Sequence, residues 1–226
     1  MADRRADADA IRARFLQVDT ATVSDLLHGL GRSAQVLATD LAPLSPEPLR
    51  MGGWAYTIRG QMTPYEGLGD PAKMRAIEGV GAGEIAVWAG ETEGVCCFGE
   101  LLALGMKVRG CAGAVVDGGV RDSHWIAKHG FPVHARYRTP VASTQRWQVT
   151  GCGIPVFMRG AVSRWVAVHP GDFVLADADG VVVIPQDVID AILPEAEQLT
   201  SRETKVRAEI DAGAGLDVVL KRYSTF

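Results

Sequence analysis

Glu100, Arg121 and Asp122 are the residues of this chain whose types and spacing best support chemistry. Glu100 stands in G-E-L-L (Gly99–Leu102). Arg121 and Asp122 close D-G-G-V-R-D, with twenty residues between Glu100 and Arg121. Each group follows an apolar run that reads as a strand and precedes a segment that reads as a helix. The first amides of a helix have no acceptor inside it, so those of Leu101 and Leu102 can bind an anion, aided by the helix dipole. Arg121, beside Gly118 and Gly119 at an expected sharp turn, can grip a carboxylate with two parallel hydrogen bonds. Asp122, with water, suits a hard divalent cation such as Mg²⁺ or Mn²⁺. Together these groups can hold a 2-oxo acid: its carboxylate at Gly99, Leu101, Leu102 and Arg121, its 2-oxo oxygen at the metal. The metal then stabilises the enolate left when the adjacent carbon–carbon bond breaks, and Glu100 orients a metal-bound water for proton transfer.

Taken singly, two of these residues have simpler readings. An acid in a first helical turn favours the dipole, which would account for Glu100, and Asp is a preferred helix cap, which would account for Asp122. Their joint occurrence with Arg121 favours a site. A Schiff-base mechanism would need a desolvated lysine, and Lys73, Lys107, Lys128, Lys205 and Lys221 read as polar or helical surface positions. His124 follows the motif and reads as a partly exposed residue of a helical first turn.

The elements that must position these groups alternate in type. Residues 5–17 read as a helix with Ile11, Phe15 and Leu16 as its apolar stripe. Thr22–Asp25 resembles a capping box that opens a short helix ending at Gly29 and Gly31. The Pro-rich stretch 40–50 (Pro43, Pro46, Pro48) reads as loop or edge. Strands are expected at 53–59, 85–88, 112–116 and 132–135, and helices at 72–78, 99–108 and 123–129, with loops at 60–72 and 91–98. Gly79, Gly81 and Gly83 precede a strand instead of opening a helix, so they read as a turn and not as a dinucleotide fingerprint. Asp177–Gly180 reads as a hairpin turn, and its acids as turn formers before ligands. Residues 187–212 read as a long helix whose second half is polar on most faces, a pattern that suits an arm against a neighbouring subunit. The alternation implies an α/β fold with a largely parallel central sheet flanked by helices, whose ligands gather at the carboxyl ends of the strands. Residues 1–186 form the expected α/β domain and 187–226 the C-terminal helical arm.

The bulk properties exclude several classes. A net charge of −4 and a pI of about 5.7 give no support for a nucleic-acid partner. No apolar run is long enough for a membrane span, and the charged, Ala-rich start does not read as a secretory signal. Cys96, Cys97, Cys111 and Cys152 contain no C-x-x-C pair and read as reduced, buried thiols of a cytoplasmic protein.

Gly99–Leu102 followed by G-G-V-R-D, together with A-T-V-S-D-L-L-H-G, G-W-A-Y-T-I and P-G-D-F-V-L-A-D-A-D-G-V-V-V-I-P, resembles the RraA-like family over most of the chain. The resemblance implies a layered α/β sandwich. It implies a class II, divalent-metal-dependent aldolase that releases pyruvate from 4-hydroxy-2-oxo-dicarboxylic acids and decarboxylates oxaloacetate. Asp122 would carry the metal, Arg121 and the Leu101 and Leu102 amides the pyruvyl group, and Glu100 the metal water. Glu203 of an adjacent subunit would complete the site, with Glu195 and Glu197 on the same helix as alternatives. Homotrimers or homohexamers with sites between subunits are implied. The family also holds non-catalytic regulators that bind a ribonuclease, which is the alternative function. A methyltransferase reading finds no glycine-rich nucleotide loop. Two segments depart from the aldolase pattern, 61–72 and 136–153 (with Arg138 and Arg146). Both bear on the far end of the substrate.

Overall fold

The alternating apolar runs build a mixed sheet with helices against it. The structure, a computed structural model, describes residues 2–45, 50–90 and 92–223. Pro46 and Pro48 of the expected loop, and Glu91 of the next one, lie outside the described residues. The chain opens with α1 (Ala2–Phe15), α2 (Thr20–Gly29), the edge strand β1 (Ala42–Pro43) and the long strand β2 (Met51–Met62). Then α3 (Pro71–Gly79), β3 (Glu84–Ala89), β4 (Cys96–Phe98), α4 (Glu100–Val108), β5 (Gly113–Val120), α5 (Ser123–Lys128) and β6 (Val133–Arg138) alternate. After these come β7 (Trp147–Cys152), β8 (Val156–Arg159), β9 (Trp165–Val168), β10 (Phe173–Ala176) and β11 (Val181–Ile184). Two helices, α6 (Ile189–Asp211) and α7 (Leu216–Tyr223), complete the order.

Among the described residues the strand order is β1-β6-β5-β3-β2-β10-β11, with β4 beside β5 and β7 beside β2. β2, β3, β5 and β6 run parallel, as does β4 on β5. The flanks are antiparallel. The expected largely parallel sheet is parallel in its middle only: β1, β7 and β10 pair antiparallel with β6 and β2, and β11 follows β10 as a hairpin.

Both faces of the middle strands are covered. In β3, Ala86 and Trp88 face the core shared with Phe98, Met106 and Trp147, while Ile85 and Val87 face the core shared with Met51, Met158 and Val183. That two-sided burial is why this strand is a continuous apolar run. A third core joins Phe15, Leu27, Phe173, Ile184 and Ile192, with the Phe15 and Phe173 rings stacked at 4.5 Å. The first turns of α6 are part of that core through Ile189, Ile192, Leu193 and Ala196. Beyond Ala196 the helix is exposed or half-buried.

Several local expectations need correction. The helix expected to start at a Thr22 capping box starts at Thr20, and Thr22 is buried inside it. Its start is held instead by Asp177 of the β10–β11 turn, which accepts from the Thr20 amide at 2.9 Å and the Thr20 hydroxyl at 2.7 Å. A distant carboxylate outcompetes the local box. Asp177 also accepts from Asp179 N at 3.0 Å, the turn role expected of it. The strand expected to stop at Val116 runs on to Val120. Gly118 and Gly119 are therefore strand residues, not a turn. A Cβ at Gly118 would lie 2.2 Å from Thr92 Oγ1, and one at Gly119 would lie 2.5 Å from Tyr137 Cε2. Close packing requires these glycines. Cys96, Cys97 and Cys111 are buried and Cys152 is half-buried, all as free thiols.

Candidate functional site

One strand register makes the site. β4 and β5 are parallel neighbours joined by α4, and Phe98 pairs with Val120. A parallel pair needs a crossover between its strands, so the twenty residues from Leu101 to Val120 comprise the rest of that crossover and then β5 itself. The residues that follow each strand emerge side by side. The Arg121 amide donates to Phe98 O at 3.1 Å, locking Gly99–Glu100 beside Arg121–Asp122.

Gly99 is the cap residue of α4 in extended backbone, φ −158°. Space, not conformation, selects glycine here: a Cβ would lie 3.1 Å from Asp122 Oδ2 and 3.2 Å from Arg121 Cγ. With no side chain at the cap, the Leu101 and Leu102 amides keep their donors free of a cap oxygen. Asp122 occupies the cap position of α5 in the left-handed region, φ 58°. Its carbonyl accepts from Trp125 and Ile126, but its carboxylate makes no capping hydrogen bond. The simple capping reading of Asp122 therefore fails. The carboxylate lies instead with Oδ2 3.4 Å from Arg121 Nε.

Arg121, Asp122, Glu100, the Gly99–Leu102 turn and Cys96 line a cavity of about 190 Å³. Lys73 and the segment Ala142–Thr144 also line it. A second depression shares Arg121 and Asp122 and continues to Arg138 and Pro140. Glu100 Oε1 lies 2.9 Å from His129 Nε2, so the acid is tethered by a histidine that sequence reasoning gave no role. His124 is exposed, lies edge-on to Trp125 and does not line the cavity.

Lys73 corrects the expectation that the lysines are surface groups. Its Nζ donates to Ser143 Oγ at 2.9 Å and lies 5.0 Å from the centre of the Trp147 ring. Burial pushes its pKa below the usual lysine value, and nearby Arg121 adds to that shift. A signal was present in D-P-A-K: Asp70 caps α3 through the Lys73 amide and Pro71 opens the helix, which puts Lys73 in the first turn.

Glu203 is not brought to the cavity within this chain. It lies on α6, paired with Arg207 Nη2 at 2.6 Å. Glu197 on the same helix pairs with Arg14. Among the described residues no group of three or more His, Cys, Asp or Glu could hold a metal ion. Asp122 is a carboxylate at the cavity free of capping duty. One carboxylate and several waters is a donor set that fits Mg²⁺ or Mn²⁺, which retain their water, and does not fit a thiolate or histidine zinc site.

The chain is similar to known proteins along most of its length. The family description RraA-like, Aldolase/RraA, matches residues 20–183. A Halalkalibacterium halodurans protein named "Putative 4-hydroxy-4-methyl-2-oxoglutarate aldolase" is 29% identical over 195 residues, covering 86% of this chain and 85% of that one. The solved structure of Streptomyces coelicolor RraAS2 is described as an unusual member of the RNase ES inhibitor RraA protein family. It matches with a TM-score of 0.74 at 27% identity, covering 88% of this chain and 96% of that one. An uncharacterized Pseudomonas syringae protein matches in fold with a TM-score of 0.79 at 23% identity, covering 94% of this chain and 97% of that one.

Proposed function

The chain belongs to the RraA-like family, and from that premise we propose that it is a divalent-metal-dependent pyruvate aldolase. Its substrate would be a 4-hydroxy-2-oxo-dicarboxylic acid, with oxaloacetate decarboxylation as a second activity. The observation that carries this reading is the Asp122 carboxylate. It sits at a helix cap without capping, beside Arg121 and the free amides of α4, on one cavity.

Arg121 and the Leu101 and Leu102 amides take the substrate's 1-carboxylate. Asp122, with water, holds Mg²⁺ or Mn²⁺. The bound cation supplies Lewis acidity at the 2-oxo oxygen. Cleavage needs two proton movements: the 4-hydroxyl loses a proton as the C3–C4 bond breaks, and C3 gains one to become the methyl group of pyruvate. Glu100, whose carboxylate His129 holds, would move these protons. Glu203 from a neighbouring subunit would complete the site in a homotrimer or homohexamer, with residues 187–226 as the arm that delivers it.

A pyruvate-release assay over 4-hydroxy-2-oxo acids and oxaloacetate tests the reading. Release is expected to stop with a chelator, to return with Mg²⁺ or Mn²⁺, and to be absent in Asp122→Ala. Activity that survives both the chelator and the substitution would sink the metal role. No release from any substrate, together with tight binding of a ribonuclease, would favour the regulator reading, which the likeness to the Streptomyces coelicolor protein supports.

A further inference from the structure

Lys73 is a charged group of the cavity with no part in the chemistry above. Its placement works against stability in two ways. A cation in the first turn of α3 opposes the helix dipole. Half-burial also removes water from the ammonium, and the Asp70 carboxylate attracts it without forming an ion pair. Among the described residues no carboxylate pairs with Nζ. Asp70, the nearest acid in sequence, spends Oδ1 on the Lys73 amide at 3.0 Å and Oδ2 on the Val149 amide at 2.9 Å. The ammonium is nonetheless held in one place, by Ser143 Oγ at 2.9 Å and by the Trp147 ring. A fixed cation with no ion-paired carboxylate among the described residues, lining a cavity of about 190 Å³, suits an anionic ligand. Arg121 and the α4 amides already give that cavity one anion-binding wall, so Lys73 gives it a second.

We propose that Lys73, positioned by Ser143, binds the second carboxylate of a dicarboxylic 2-oxo acid and so sets the preference for dicarboxylic over monocarboxylic substrates. This rests on the aldolase reading for the identity of the first wall's ligand. Arg138 is the competing cation. It lies in the neighbouring depression and donates to Leu44 O at 2.5 Å.

The test compares ligands that differ only at the far end. Binding of 2-oxoglutarate and 2-oxopentanoate is measured by calorimetry with Mg²⁺ present, on wild type, Lys73→Met, Lys73→Arg and Arg138→Met. Wild type is expected to prefer 2-oxoglutarate by about 10- to 150-fold, the worth of a hydrogen bond to a charged group. Lys73→Met should erase that preference while 2-oxopentanoate binds within about threefold of wild type, and Lys73→Arg should restore part of it. A preference that survives Lys73→Met, is absent from wild type, or is lost in Arg138→Met instead would overturn the proposal. So would a covalent pyruvate adduct on Lys73 after borohydride reduction, since that makes the lysine a nucleophile. Turnover is read separately: wild type that shows the Lys73-dependent preference but releases no pyruvate would overturn the aldolase reading and leave the lysine's role standing.

Discussion

Gly99→Ala tests the site by geometry alone. The added methyl would lie 3.1 Å from Asp122 Oδ2 and 3.2 Å from Arg121 Cγ, whereas ordinary contact begins at 3.4 Å. The carboxylate must therefore retreat by 3.4 − 3.1 = 0.3 Å and the arginine by 3.4 − 3.2 = 0.2 Å. Both side chains are partly exposed, at 43% and 47%, and can move without disturbing the core. Gly99 has extended backbone, so alanine adds no conformational strain. Alanine caps helices less well than glycine, a loss of at most about 1 kcal/mol, or about 2–4 °C in Tm. Misplacement by 1 Å costs on the order of a hundredfold in rate, so these shifts predict a fall of about 4- to 10-fold in kcat/KM for pyruvate release. Gly29→Ala is the control. Its Cβ meets nothing within 4 Å in α2, so stability should hold or rise with activity unchanged. Unchanged kcat/KM in Gly99→Ala would refute the reasoning. So would a loss of activity that comes with a Tm fall beyond about 10 °C, because misfolding and not displacement would then be the cause.

Arg121→Ala is expected to cost about 1.5–3 kcal/mol in kcat/KM, and Arg121→Lys to recover little of it, because an ammonium cannot reproduce the planar fork. Kinetics on oxaloacetate would check this, and equal activity in Lys and wild type would argue against a bidentate grip. Stability should fall on mild acidification through His134. Its Nε2–H donates to Asp177 O at 2.8 Å, and burial holds its pKa below the ordinary 6.5. The unfolded chain therefore takes up the proton first. The stabilisation is full above about pH 6.5 and is lost as pH falls below it, by at most about 1.4 kcal/mol per pH unit. His134→Gln should flatten the Tm profile between pH 7 and 5, and an unchanged slope would remove His134 as its source.

The elements near the site were legible because local pattern and tertiary need agree there. Gly99–Val108 reads as a helix and is one from Glu100, and the twenty-residue spacing holds a helical crossover followed by the strand it leads to. What could not be read depends on residues far apart in sequence. Thr20 is capped by Asp177, 157 positions away. Gly118 looks like a turn until Thr92 is seen pressing on it. Lys73 reads as a surface lysine because its partners, Ser143 and Trp147, come from a segment about seventy residues later. The two stretches read from the sequence as departing from the aldolase pattern, 61–72 and 136–153, end beside Lys73 or contain Ser143.

Three local choices in this chain go against what the backbone alone prefers, and all three border one cavity. Asp122 takes a left-handed conformation at a helix cap and then does not cap. Lys73 puts a half-buried cation at the positive end of α3. Gly99 stands at the α4 cap, where Ser, Thr, Asp or Asn would satisfy the second or third amide of the helix. Those amides belong to Leu101 and Leu102. A better cap would consume the donors that the site offers to a carboxylate, so glycine there leaves α4 less well capped and the cavity more receptive. Any one of these departures could be an accident of packing. Sequences are locally consistent where only folding is at stake, and their inconsistencies gather where a ligand supplies the missing partner. Within the chain Asp122 has only the long contact to Arg121 Nε at 3.4 Å, and the proposed function and the inference on Lys73 give these groups further partners: a cation for Asp122, an anion for the α4 amides with Arg121, and a second anion for Lys73. On the proposed reading, a divalent metal with a dicarboxylic oxo acid would supply all three at once.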